Sequence, residues 1–198
     1  AVALMLYNFI NAEFPAVVKG PVLGGWSKTE SPVITEDQKA AFDKAMDGLV
    51  GVDYIPVAVL AQQVVSGTNY LFLCRSTVVV PDALEKFSFV TVYADLEGGA
   101  EVTDIVSTEI MTRIDPEEDG GWIAAESPDV PRAIAETYDT VSKGTAVEGY
   151  SPVACLASDA DGQNYCLLCG DDAGYAFAYL HTPAEGDAEL TEIFLLQE

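Results

Sequence analysis

The chain has 198 residues, an apolar fraction of 49% and a formal net charge of −23, which comes from 32 acidic and 9 basic side chains. Its length suits one large domain or two small ones, and its apolar content is that of a chain that buries a core. So strong a negative charge repels phosphate backbones and anionic lipids, which excludes nucleic acid as a partner. The apolar runs are all shorter than the roughly 20 residues of a spanning helix, so we expect no membrane span.

Residues 1–21 form an apolar N-terminal arm, and the first ten of them, AVALMLYNFI, carry no charge. An apolar arm that is ordered in water has to be buried. Two interpretations stay open: the arm packs as an extra strand on its own chain, or it adds a strand to a neighbouring molecule. The second would use apolar side chains of the arm, namely Val2, Leu4, Leu6, Phe9 and Ile10.

Residues 22–114 are predicted to form a first domain with one helix and four antiparallel strands. Thr35 followed by Gln38 is a capping box, and Phe42 belongs to an apolar stripe at helical spacing. Four β-rich runs follow at 54–65, 68–80, 87–96 and 101–110, with glycine breaks at 67 and at 98–99. One amphipathic helix on one face of such a sheet gives an α+β domain.

After an acidic linker at 115–119, the second half of the chain repeats the first. Gly-Gly-Trp at 24–26 recurs at 120–122, Pro-Val-Ala at 56–58 recurs at 152–154, and Asn-Tyr at 69–70 recurs at 164–165. We therefore predict a second domain at 120–198, with a helix near 131–143. Each domain is expected to have one helix packed on a four- to five-stranded antiparallel sheet.

Two short motifs in the first half carry a resemblance to a known family. The first hairpin reads QVVSGTNY at 63–70, which resembles the Q-x-V-x-G loop of cystatins, the protein inhibitors of papain-like cysteine proteases. Upstream, VLGGWS at 22–27 resembles the cystatin N-terminal trunk. The element order is also that of the family, so the chain resembles secreted bacterial cystatin-like proteins, with two tandem cystatin-like domains. The resemblance covers most of 22–110 and extends more weakly to 120–198.

The resemblance implies a secreted or cell-surface, extracellular, non-enzymatic protein that blocks a papain-type protease by occupying its cleft. The residues that it assigns to the protease contact are Leu23, Gly24, Gln63, Val65 and Gly67. In this interpretation Gly67 lets the hairpin bend tightly. The turn at 96–99, LEGG, lacks the Pro-Trp pair of the family's second hairpin. The second copy lacks the first-hairpin motif, so only the first domain is expected to inhibit.

The alternative function is that of a structural subunit in an extracellular filament or surface assembly. In that hypothesis residues 1–20 add a strand to a neighbouring subunit, so the partner is a copy of the same protein. A repeated head-to-tail contact gives a filament when its rotation does not close.

The cysteines suggest one cross-link. A turn centred on 160–161 places Cys155 and Cys166 on opposite strands and facing each other, so we predict a disulfide between them. Cys74 and Cys169 occupy equivalent positions in the repeat and are expected to be buried thiols. The C-x-x-C spacing at 166–169 lies in a strand, where residues three apart point to opposite faces, so no redox or zinc site is expected there.

The remaining polar residues do not form a recognisable catalytic or metal site. His181 is the only histidine, and neither a second histidine nor a suitable cysteine accompanies it to make a triad or a zinc site. Asp159, Asp161, Asp171 and Asp172 have no EF-hand-like spacing, and solvated turns explain them better than a cation. We expect no enzymatic activity, no metal and no cofactor.

Overall fold

The computed structural model describes residues 25–114, 121–171 and 174–196. Within them the chain divides into two compact units, one that ends at Arg113 and one that begins at Ile114. Several residues with predicted roles lie outside the described residues: Val2, Leu4, Leu6, Phe9 and Ile10 of the arm, and Leu23 and Gly24 of the trunk. None of the helices in the described part of the chain is long and apolar enough to cross a membrane.

The first unit contains one helix and a five-stranded antiparallel sheet whose strands lie in sequence order. Its elements are β1 (Trp26–Lys28), α1 (Glu36–Met46), β2 (Val52–Val64), β3 (Gly67–Val78), β4 (Lys86–Asp95) and β5 (Ala100–Met111). The short β1 adds to the four predicted strands and pairs with the end of β2, where Trp26 lies opposite Gln63.

The helix of the first unit begins at the expected cap. The Thr35 hydroxyl accepts a hydrogen bond from the Gln38 backbone at 3.3 Å, and the Gln38 side chain accepts one from the Thr35 backbone at 2.9 Å. The helix buries Phe42, whose ring meets Phe72 of β3 edge to face with the centroids 5.1 Å apart. Around this pair lies an apolar cluster that includes Val59, Phe72, Cys74, Val90 and Val92.

The second unit has the same element order, and its sheet runs β10-β9-β8-β7-β6. Its elements are β6 (Trp122–Ala124), α2 (Arg132–Val141), β7 (Ser151–Asp159), β8 (Asn164–Gly170), β9 (Tyr175–His181) and β10 (Glu189–Leu196). Tyr138 of α2 is fully buried and packs in a cluster with Cys155 and Leu167. Ile114 forms an isolated parallel bridge with Trp122 of β6.

The expected α+β class is wrong, because the described part of the chain is mostly β: it contains two five-stranded antiparallel sheets and two short helices, which make up 13% of the described residues. Burial along the strands gives the physical reason. In β3, Phe72 and Cys74 belong to the cluster under the helix, yet the alternate residues Leu71 and Leu73 are also buried.

The same holds in the second sheet, where residues 166–170 and 175–180 are buried without interruption. Successive residues of a strand point to opposite faces, so both faces of each sheet are covered. A single helix covers one face only. The predicted α+β architecture of two cystatin-like domains, in which the packing of one helix on each sheet defines the domain, therefore does not account for these mostly β units.

Candidate protein-binding edge

Two turns lie side by side at one end of the first sheet. The first, at 65–66, joins β2 to β3, and the second, at 96–99, joins β4 to β5. They are neighbours because Gly67, which begins β3, pairs with Asp95, which ends β4. The chain also enters β1 at this end, since Trp26 lies opposite Gln63. We call this end, with the two turns and the residues that flank them, the turn edge.

The turn edge exposes three aliphatic side chains. The exposed fraction is 59% for Val64, 45% for Val65 and 86% for Leu96. Burial of aliphatic side chains in a partner removes apolar surface from water, which lowers the free energy of the complex. Their grouping on two adjacent turns and the end of β2 gives a small apolar surface of the type that contacts other molecules.

Hydrogen bonds hold the first turn in place. The Val65 backbone donates to the Gly67 carbonyl at 2.9 Å. Behind the turn, the Asn69 amide donates to the Gln63 side chain at 2.7 Å. Gln63 is thus part of the support of the turn.

The second turn is held by a carboxylate. Asp95 accepts hydrogen bonds from the Glu97 backbone at 2.8 Å and the Gly99 backbone at 2.7 Å. These hydrogen bonds lower the pKa of the Asp95 carboxyl below its ordinary value, and the bond from the Gly99 backbone has the largest effect. Lys44 of α1 donates to the Gly98 carbonyl from the other side. Turns fixed in this way lose little conformational freedom when they bind.

Gly67 has a different role from the one expected. It is buried as the first residue of β3, and it is not among the glycines with positive φ. A Cβ at this position would lie 2.2 Å from the Ala94 carbonyl oxygen and 2.8 Å from the Tyr93 ring. The glycine therefore allows β3 to approach β4 closely, rather than allowing the hairpin to bend.

The structure thus brings Gln63, Val65 and Gly67 together at the turn edge, with Val65 at the surface and the other two supporting it. Sequence reasoning missed Leu96, because the comparison with the family drew attention to a missing aromatic pair. The available signal was a large aliphatic residue in a glycine-rich turn.

The equivalent edge of the second unit is polar. Its two turns, at 160–163 and 182–188, contain no valine, leucine, isoleucine or aromatic residue. Asp159 accepts hydrogen bonds from the Gln163 backbone at 2.8 Å and the Asn164 side chain at 2.6 Å. Burial alone would raise the pKa of the Asp159 carboxyl, but the hydrogen bonds that it accepts have the larger combined effect. The pKa therefore lies below its ordinary value. His181 contacts the Asn164 side-chain oxygen at 2.8 Å.

In the structure Cys155 is a free thiol rather than one half of the predicted disulfide with Cys166, and all four cysteines are buried. The pairing of β7 with β8 places Cys155 opposite Leu167 and Cys166 opposite Ala157, with a register shift between positions 155 and 157. Because of the extra residue in β7 at this shift, Cys155 and Cys166 do not lie directly opposite each other. Burial raises the pKa of Cys155 to about 11 and that of Cys169 to about 12, which makes both thiols poor nucleophiles.

Among the residues that the structure describes, no group of three or more histidine, cysteine, aspartate or glutamate side chains is placed to hold a metal ion. Compared with known proteins, the chain matches no family model and no curated protein.

Proposed function

We propose that this is a secreted, non-enzymatic binding protein whose turn edge enters the cleft of a papain-type cysteine protease and blocks it. The observation that carries the proposal is the set of three exposed aliphatic side chains at the turn edge: Val64, which ends β2, and Val65 and Leu96 on the two adjacent, hydrogen-bonded turns. The loop sequence at 63–70 supports the choice of protease class.

Blocking a cleft requires shape and apolar contact rather than a catalytic group. Two neighbouring hairpin turns form a narrow ridge, and each aliphatic side chain buried in a partner contributes about 1.5–3 kcal/mol. Three such side chains contribute about 4.5–9 kcal/mol together. Because association itself costs about 4 kcal/mol or more, micromolar inhibition also requires contacts from the backbone of the two turns.

Charge narrows the choice of partner. The exposed carboxylates of Glu97 and Glu101 lie in and beside the second turn. A cleft whose rim carries lysine or arginine would complement them, and one with an acidic rim would repel them. The excess of carboxylates across the chain also favours an extracellular location, where it keeps the protein soluble.

Titration of papain with the full chain, read with a fluorogenic peptide substrate, tests the proposal. We expect inhibition that depends on Leu96. Replacing Leu96 by serine removes about 2 kcal/mol of apolar burial, which corresponds to about 30-fold weaker inhibition.

Leu84 provides a matched control, because it is 68% exposed but lies in the loop that joins β3 to β4 at the opposite end of the sheet. The variant Leu84→Ser should inhibit as well as the unmodified protein. Absence of inhibition at about 10 μM, or an equal effect of the two leucine variants, would overturn the proposal.

A further inference from the structure

Six exposed aliphatic side chains lie at the end of the first unit that is opposite the turn edge. Two of them belong to the loop between α1 and β2, and four belong to the last residue of β3 and the loop that follows it. Each exposes between 43% and 90% of its surface. We call this set the aliphatic end, and its members are Leu49, Val50, Val78, Val79, Val80 and Leu84.

Backbone hydrogen bonds hold the segments of the aliphatic end in place. The Val79 backbone donates to the Gly51 carbonyl at 3.0 Å, which joins the end of β3 to the loop before β2. The Leu49 backbone donates to the Met46 carbonyl at 3.0 Å, which ties the same loop to the last turn of α1. A surface fixed in this way loses little conformational freedom when it binds.

The second unit shows that the fold does not require these side chains. In the repeat, Leu49 and Val50 correspond to Thr145 and Ala146. The four residues that follow β8, DDAG at 171–174, contain no valine or leucine. Exposure of aliphatic surface to water is unfavourable, and contact with another molecule would remove it from water.

The size of the aliphatic end fits a contact with a second copy of the chain. The exposed fractions of its six members correspond to about 600 Å² in total, which is the upper limit for the largest apolar patch of an ordinary monomer. Two such surfaces placed against each other bury about 1,200 Å² together. That area reaches the range of stable, specific interfaces, about 1,200–2,000 Å².

We propose that the aliphatic ends of two copies pair with each other about a two-fold axis. The segments that form this end, 48–52 and 76–81, contain no charged residue, so their contact buries no carboxylate. Beside these segments, Asp47, Asp53 and Asp82 are exposed and form an acidic rim.

The acidic rim and the net charge of −23 make two copies repel each other at low ionic strength. Salt screens repulsion between exposed charges, so the dimer should become tighter as salt is added. A partner with a basic rim would show the opposite dependence, because salt would then screen an attraction. The sign of the salt effect therefore separates a second copy from a basic partner.

A contact that uses the same surface on both copies closes at two molecules. The turn edges lie at the other end of the first unit, so both remain free in the dimer. The inference thus goes beyond the proposed inhibition and does not depend on it.

Sedimentation velocity and light scattering of the full chain test this inference, at about 1 to 100 μM protein and at about 0.05 and 0.5 M sodium chloride. We expect an equilibrium between monomer and dimer without larger species. The dissociation constant should fall about tenfold at the higher salt concentration.

Val50→Ser should weaken the dimer about 30-fold, because a symmetric contact loses the buried valine twice. Val50 is 90% exposed, so this substitution leaves the core of the unit unchanged. Val64→Ser is the matched control, since it makes the same change at the turn edge. It should leave the dimer as it is and weaken only the inhibition of papain.

A monomer under all these conditions contradicts the inference, as do equal effects of the two serine variants on the dimer. A dimer that loosens in salt, or growth into larger species, contradicts it as well. A monomer that binds a basic amphipathic peptide of leucine and lysine, and binds it less well after Val50→Ser, would assign the aliphatic end to a different partner and overturn the inference. Since the two serine variants act at opposite ends of the unit, the dimer and the proposed inhibition fail or survive separately.

Discussion

The close approach of β3 to β4 at Gly67 gives a sharp test of the structure. In a Gly67→Ala variant the new methyl carbon would lie 2.2 Å from the Ala94 carbonyl oxygen, which belongs to the backbone and cannot rotate away. The two strands must therefore move apart at the position where the two turns meet. Overpacking of this kind costs about 1–3 kcal/mol, and we expect a value near 3 because the partner is backbone.

The two tryptophans make the measurement specific for the first unit. Trp26 belongs to β1 and Trp122 to β6 of the second unit, so a Trp122→Phe background leaves Trp26 as the only tryptophan reporter. Urea unfolding followed by its fluorescence then gives the free energy of unfolding of the first unit. With a slope near 1.5 kcal/mol per molar urea, the midpoint should fall by about 2 M.

Gly98→Ala is the control, because Gly98 has φ of 85° and nothing within 4 Å of the position of a Cβ. Alanine there meets only the cost of the left-handed conformation, about 1 kcal/mol. If the midpoint of Gly67→Ala falls no further than that of Gly98→Ala, the close approach of β3 to β4 is refuted.

Three further predictions concern the core and the second unit. Phe42→Ala should lower the free energy of unfolding of the first unit by about 3–5 kcal/mol, measured by the same urea assay, because it empties the site against Phe72. Asp159→Ala should cost the second unit about 1–2 kcal/mol at neutral pH. Because folding lowers the pKa of Asp159, this residue stabilises the second unit above the ordinary pKa of 3.8, and the stabilisation is lost as the pH falls through the lowered value. Thermal melts at a series of pH values should therefore show the melting temperatures of Asp159→Ala and the unmodified protein converging in acid. Cys155 and Cys169 should resist iodoacetamide in the native protein and react after denaturation, as read by mass spectrometry without any reductant; failure to alkylate the denatured thiols would contradict the free state.

Much of the secondary structure could be predicted from local signals. The run at 54–65 corresponds to β2 at Val52–Val64, and the run at 101–110 corresponds to β5 at Ala100–Met111. Glycine breaks and β-branched residues are local features, so they locate strands well. The capping box of Thr35 is equally local and is present in the structure.

The prediction of the fold class was wrong because the class depends on what covers each face of a sheet. The stretch Leu71–Cys74 is apolar at four consecutive positions, which is the pattern of a strand covered on both sides. One amphipathic helix in the sequence led to the assumption of one covered face. Burial of the second face is set by tertiary structure, and short-range periodicity does not report it.

The candidate site was only partly predictable for a similar reason. The motif at 63–70 located the first turn, but the neighbouring second turn depends on the pairing of Gly67 with Asp95. The prediction that Cys155 faces Cys166 was wrong because the register of β7 against β8 shifts by one residue, and the sequence of the turn does not predict such a shift.

Continuous burial along the central strands has a consequence for how substitutions are tolerated. In a sheet with one solvent-exposed face, polar substitutions are tolerated at every second position of a strand. Here the stretches at 71–74 and 175–180 should form unbroken blocks in which each position rejects a charged side chain. A scan of all single substitutions would then show tolerance that varies in blocks along these strands, while positions 65, 66, 96 and 97 of the two turns accept wide variation without loss of the fold. The protein thus combines strands that can hardly change with a few surface turn positions that are free to diversify.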